Sequence, residues 1–190
     1  MSQTIQPKSL AGQLLVAMPQ VQEARFTHAV ILICGHDKKG AMGLVVNKLL
    51  DSLTLKDLLT QLNIDAPDLI EDHPIYFGGP VEMGRGFVLH SSDYIHDGSV
   101  VINDHVALTA TVDVLQEIAS GGGPKRCKMA LGYVGWSAGQ LEAELQDNSW
   151  LLVEADMTLL FHLMGEDCWR AAIHKLGIEP DLLSIEAGHA

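Results

Sequence analysis

Positive charge is scarce in this chain: 12 lysines and arginines stand against 24 aspartates and glutamates, a formal net charge of −12 over 190 residues. Affinity for a nucleic-acid backbone comes largely from Lys and Arg displacing condensed counterions, so this balance disfavours direct DNA binding. The one dense basic stretch is Lys125, Arg126 and Lys128. Long apolar runs are also lacking. Near the N-terminus the apolar residues run only from Leu14 to Met18, behind Gly12 and Gln13, too short for a membrane span or a secretory leader. The three cysteines, Cys34, Cys127 and Cys168, are odd in number, far apart and form no C-x-x-C pair. That usage fits reduced thiols and a cytoplasmic location rather than a disulfide framework. Nine histidines are present, yet none falls in H-E-x-x-H or at zinc-finger spacing with cysteine, so no metal is expected. Glycine-rich nucleotide motifs are missing too. Gly121-Gly122-Gly123-Pro124-Lys125 lacks the Lys-Ser/Thr end of a P-loop, and Pro124 removes one N–H donor. Gly84-Arg85-Gly86 has no third glycine and no following helix. No cofactor is expected, and we find no repeat, low-complexity tract or linker.

What is abundant is material for a core. Hydrophobic residues make up 47% of the chain and mean hydropathy is +0.17. A chain of this length buries about 70% of its unfolded surface in one domain without staples. Strands are expected at 10–18, at 27–36 (a continuous apolar run, hence buried on both faces) and at 41–48 after the HDKKG turn. A helix over 55–62, capped by Ser52 or Thr54, precedes strands at 73–80 and 84–92 joined by a glycine-rich turn, and a short strand at 99–104. A second helix opens at Thr109 or Thr111 and stops at Gly121–Gly123. Strands at 125–134 and 149–156 enclose a short helix at 140–145, and a helix over 166–177 closes the pattern. Helices and strands intermix without strict alternation, so the fold class is α+β with a mixed sheet.

Four stretches carry a family resemblance: GQLLVAMP (12–19), GAMGLVVNK (40–48), YFGGPV (76–81) with FVLHS (87–91), and LGYVGWSAGQLEAEL (131–145). In their order and spacing the chain resembles the AlgH/YqgE-like family of bacterial proteins. The resemblance implies a single domain over residues 1–190 with an ordered core of about 8–180. It also implies a partly barrel-like, bifurcated sheet flanked by helices. Some members are labelled regulators of polysaccharide-synthesis genes; the family supplies no catalytic residues to carry over.

The strongest chemical motif is Gly135-Trp136-Ser137-Ala138-Gly139, a G-x-S-x-G between an expected strand and an expected helix, the context of a nucleophile elbow. Asp156 or Asp167, followed by His162, His174 or His189, would complete a Ser–Asp–His order. No HGGG-type loop is present to finish an oxyanion hole, and the glycines are explained by a tight turn with Trp136 packing. Glu142 and Glu144 stand at i and i+2 on the helix and so point to different sides. Cys127 has Arg126 and Lys128 beside it, but in a strand those neighbours face the other way.

The function expected from these residues is a non-enzymatic binding or indirect regulatory protein, with a small serine hydrolase using Ser137 as the alternative. The expected binding residues are Gly78, Gly79, Arg85, Gly135, Trp136, Ser137, Ala138, Gly139 and Gln140. Free N–H groups at the start of the helix near Ala138 would favour a small anionic ligand, Arg85 would assist and Trp136 would stack on a planar group. A protein partner is the other expected occupant, and indirect regulation through one is easier to reconcile with a charge of −12 than DNA contact.

Overall fold

The computed structural model describes residues 8–66 and 73–183. The chain forms one mixed α+β domain whose sheet curls into a half-barrel flanked by helices. The strands are β1 (Gln13–Ala17), β2 (Val30–Asp37), β3 (Gly40–Val45), β4 (Leu49–Thr54), β5 (Pro74–Phe77), β6 (Val81–Ser91), β7 (Ser99–Val101), β8 (Val106–Thr109), β9 (Cys127–Ser137) and β10 (Trp150–Glu154). The helices are α1 (Leu55–Gln61), α2 (Val112–Ala119), α3 (Gln140–Gln146), α4 (Met157–Phe161) and α5 (Gly165–His174). Among the described residues no helix is long and apolar enough to cross a membrane.

β1 and β2 read as uninterrupted apolar segments because both of their faces are covered. Leu14, Val16, Val30 and Leu32 pack under α4 and α5, whereas Leu15, Ala17, Ile31 and Ile33 pack on the other side with Trp136, Leu141 and Trp150. Each residue therefore buries apolar surface whichever way the pleat turns it. A third cluster, from Leu55 and Leu59 of α1 and Val114, Leu115 and Ala119 of α2, covers Ile75, Val88 and Met129. α1 begins at a capping box: Thr54 accepts from the Asp57 amide and the Asp57 carboxylate accepts from the Thr54 amide. β2 and β3 form the expected hairpin, pairing Asp37 with Gly40.

The sheet divides at β9. The strand order is β10-β1-β2-β3-β9-β6-β8-β7, with β4 and β5 branching off. The second half of β9 pairs with β3 (Val134 with Gly43, Ser137 with Gly40), while its first half holds β5 in parallel (Ile75 with Met129). β6 runs antiparallel to β9 in the same stretch, pairing Val88 with Met129. β5 and β6 are thus not a hairpin, as their sequence proximity suggests: they flank β9, and Gly78-Gly79-Pro80 crosses from one side of it to the other. The crossing explains the glycines. A Cβ on Gly132 of β9 would lie 2.1 Å from the Gly79 carbonyl oxygen, and one on Gly79 would lie 2.1 Å from the Tyr133 carbonyl. Only bare backbone on both segments fits.

Candidate functional site

The expected binding residues lie where β9 ends and α3 begins. Gly135, Trp136 and Ser137 are strand, held by β3, and the turn is confined to Ala138 and Gly139. Gly139 takes the left-handed conformation (φ +77°) and starts α3 without a side-chain cap. Gly135, Trp136 and Gln140 line a groove of about 370 Å³ together with Pro80, Phe26 and Trp150. The crossing segment and the GWSAG stretch do share one end of the sheet. Gly78 and Gly79 themselves are buried in the crossing. Arg85 is not part of the groove: it pairs with Glu82 at 3.6 Å and covers the Phe87 ring at 5.1 Å.

Trp136 is a core residue, 6% exposed, and is not free to stack on a ligand as expected. Its indole N–H donates to Glu144 Oε2 at 2.9 Å, and the Trp150 indole N–H donates to the same oxygen at 2.8 Å. Gln140 Nε2 donates to the other carboxylate oxygen at 3.0 Å. Glu144 is therefore a fixed acceptor on the groove wall, with three donors holding its orientation. Glu23 adds a second carboxylate to the lining. Its partner Arg25 lies over the Phe26 ring at 6.0 Å.

This electrostatic setting opposes the anion expected at the start of α3. Glu142 stands in the first turn and its carboxylate accepts from its own backbone N–H, so the helix start already holds a negative group. Its carboxyl is held below the usual carboxylate range, first by the bond from His36 and then by that amide. His36 Nε2 donates to Glu142 Oε1 at 2.7 Å, while His36 Nδ1 accepts from the Leu10 amide. The glutamate pair separates as expected, Glu142 toward His36 and Glu144 toward the indoles.

Ser137 is exposed, and its contacts are to Gln140: the amide donates to Gln140 Oε1 at 3.0 Å and the hydroxyl to the same atom at 3.3 Å. The histidines expected in a triad are engaged elsewhere. His162 accepts from Arg126 Nη1 at 2.6 Å, and His174 stands 3.8 Å from Glu179. His189 lies outside the described residues. Asp156 caps α4 and pairs with Lys175, and no general base is placed on Ser137 among the described residues. Burial pushes the thiols up, Cys34 to about 12 and Cys168 to about 11, with Cys127 raised for the same reason. All three are free. Among the described residues no group of three or more His, Cys, Asp or Glu side chains is placed to hold a metal.

Comparison with known proteins assigns the chain to one family. The AlgH-like family profile matches residues 14–181, and the chain belongs to that family. It is 52% identical over 189 residues to a UPF0301 protein of Rhodopseudomonas palustris, covering 95% of this chain and 87% of that protein. A UPF0301 protein of Rhodospirillum rubrum is 51% identical over 181 residues, with coverage of 95% and 94%. The solution structure of the AlgH protein from Pseudomonas aeruginosa superposes with a TM-score of 0.79 at 42% identity, over 100% of both chains. A crystal structure of a protein from Corynebacterium diphtheriae shares the fold at 19% identity, with a TM-score of 0.73 over 91% of this chain and 90% of that one.

Proposed function

We propose that the protein acts by binding, without catalytic turnover, and regulates through a protein partner in the cytoplasm. A basic side chain of that partner enters the groove beside Trp136 and Trp150. The observation that carries this reading is the Glu144 carboxylate on the groove wall, fixed by two indole N–H groups. An arginine in such a groove meets a charge partner in Glu144 and the half-buried ring of Phe26. Arg25 illustrates the pairing on the rim, between Glu23 and Phe26. A chain of net charge −12 attracts basic partners over distance. The regulatory label attached to the family resemblance fits a protein that works through a partner.

The test uses the tryptophan indole N–H signals of the full-length protein in an NMR titration with acetyl-arginine amide. Saturable shifts of the Trp136 and Trp150 signals are expected at about millimolar ligand. Trp169 is the internal control, because its N–H is committed to the Ala17 carbonyl at 2.8 Å in the opposite core. Phosphate is expected to leave Gly135–Glu142 unmoved; saturable shifts there, with none from the arginine probe, would restore the anion site. Stoichiometric labelling of Ser137 by a fluorophosphonate, abolished in Ser137→Ala, would establish the hydrolase instead.

A further inference from the structure

The opposite end of β9 holds a concentration of positive charge that the binding reading does not use. A cleft of about 450 Å³ is lined by Lys125, Arg126, His162 and His73 over an apolar wall that includes Phe161. A second chamber of about 210 Å³ adjoins it, sharing His73, Ile118, Cys127 and Phe161 as walls. Lys128 and Tyr76 line that inner chamber. Among the described residues neither lining contains an aspartate or glutamate.

Lys128 is the unusual member. It is only 5% exposed, yet among the described residues no carboxylate lies within ion-pair distance of it. Its ammonium donates to the Val46 carbonyl at 2.6 Å and stands 4.3 Å from the centre of the Tyr76 ring. An ammonium has three donors, and among the described residues it meets one carbonyl and one ring face but no carboxylate. Arg126 makes its side-chain bond to neutral nitrogen, His162 Nε2, and Lys125 is anchored through its backbone amide to Asp93 Oδ2 at 3.0 Å. Asp93, an acidic neighbour of the site, engages the Lys125 amide and Ser91 rather than lining the cleft.

We propose that these adjoining chambers bind a small organic oxyanion, with Lys125 and Arg126 at the outer side, Lys128 at the inner side and the ligand's apolar body against Phe161 and Ile118. A phosphate or carboxylate head supplies a counter-charge to Lys128, and charge-assisted bonds in a half-enclosed cleft are stronger than on open surface. Burial holds the Lys128 ammonium down at about 8. An anion seated beside it favours the charged form, so binding near pH 8 is coupled to proton uptake.

The experiment is an NMR and calorimetric titration of the full-length protein with inorganic phosphate, phenyl phosphate and benzoate at low salt. Saturable amide shifts are expected at Gly121–Lys128, His73 and Phe161–His162, with phenyl phosphate or benzoate binding more tightly than phosphate because the apolar wall is used. Arg126→Gln, an exposed change that leaves the core intact, is expected to weaken binding about tenfold. Calorimetry at pH 8 in buffers of different ionisation enthalpy is expected to show proton uptake, lost in Lys128→Gln. If Lys128→Gln does not fold, the buffer dependence of the native protein still reports the coupling. The preference for phosphate over carboxylate heads identifies the ligand class. Absence of saturable shifts, binding indifferent to Arg126→Gln, or binding without proton exchange at pH 8 would each overturn the assignment. The groove at Trp136 lies at the other end of β9, so failure of either site is read separately.

Discussion

At the residue scale, Lys128 links stability to pH with a definite sign. Its value falls from 10.5 to about 8 because burial disfavours the ammonium. Below pH 8 both folded and unfolded chains carry the proton, and the folded state bears the full cost of burying it. Between pH 8 and 10.5 the unfolded chain binds the extra proton, so stability from this group rises with pH. The buried thiols act oppositely: Cys168, raised to about 11, and Cys34, raised to about 12, keep protons that the unfolded chain loses near 9. Comparing the native protein with Lys128→Met isolates the lysine. Urea unfolding from pH 7 to 10 is expected to show the native protein gaining on the variant from about pH 8 upward. The gain is about 1.4 kcal/mol for each pH unit between the two values. A difference that stays flat with pH would mean that the amine is solvated as an ordinary lysine.

At the element scale, the crossing over β9 is the feature most exposed to a single methyl group. Gly132 (φ +74°) and Gly139 (φ +77°) share a left-handed conformation, so alanine costs either about 1–2 kcal/mol in backbone strain. They differ in what the methyl meets: the Gly79 carbonyl oxygen at 2.1 Å for Gly132, and open space for Gly139. Gly132→Ala is therefore expected to lose more than about 3 kcal/mol in chemical denaturation, in the range reserved for overpacking and strain, and Gly139→Ala far less. Equal losses would refute a steric crossing. The same contrast shows what was legible in the sequence. β1, β2, β3, α2 and α5 announce themselves through local pattern, since their apolar residues or stops repeat at the period of the element. β4 with its polar Asp51 and Ser52, four-residue β8 and five-residue α4 carry too little pattern. β5 and β6 were legible as strands but not as flanks of β9, because that pairing is non-local. Similarly, GWSAG reads as a loop, whereas Gly40 and Ala41 of β3 hold its first half as strand. The end of the sheet where Gly135, Trp136 and Gln140 gather was legible; the caging of Glu144 by two indoles and the burial of Lys128 depend on partners distant in sequence.

At the scale of the whole molecule, charge is distributed unevenly along β9, an 11-residue strand that spans about 35 Å. Its first end carries the basic cleft and its second the carboxylate-lined groove, while the chain as a whole stays at −12. This distribution decides how the protein should meet DNA. Lys125, Arg126 and Lys128 are the local basic stretch, but Lys128 is buried and bonded to Val46, which leaves two side chains to face a phosphate backbone. Two phosphate contacts correspond to a log–log salt slope of about −2, shallow beside that of a dedicated DNA-binding protein. Fluorescence anisotropy with random and promoter-derived duplexes is therefore expected to show affinity no better than about 10⁻⁵ M at physiological salt, with no sequence preference. Competition by a small oxyanion should abolish what binding remains, because both would use Lys125 and Arg126. A tight, sequence-dependent complex formed by this protein alone would sink the partner-mediated reading. It would also require a DNA-binding surface beyond these two side chains.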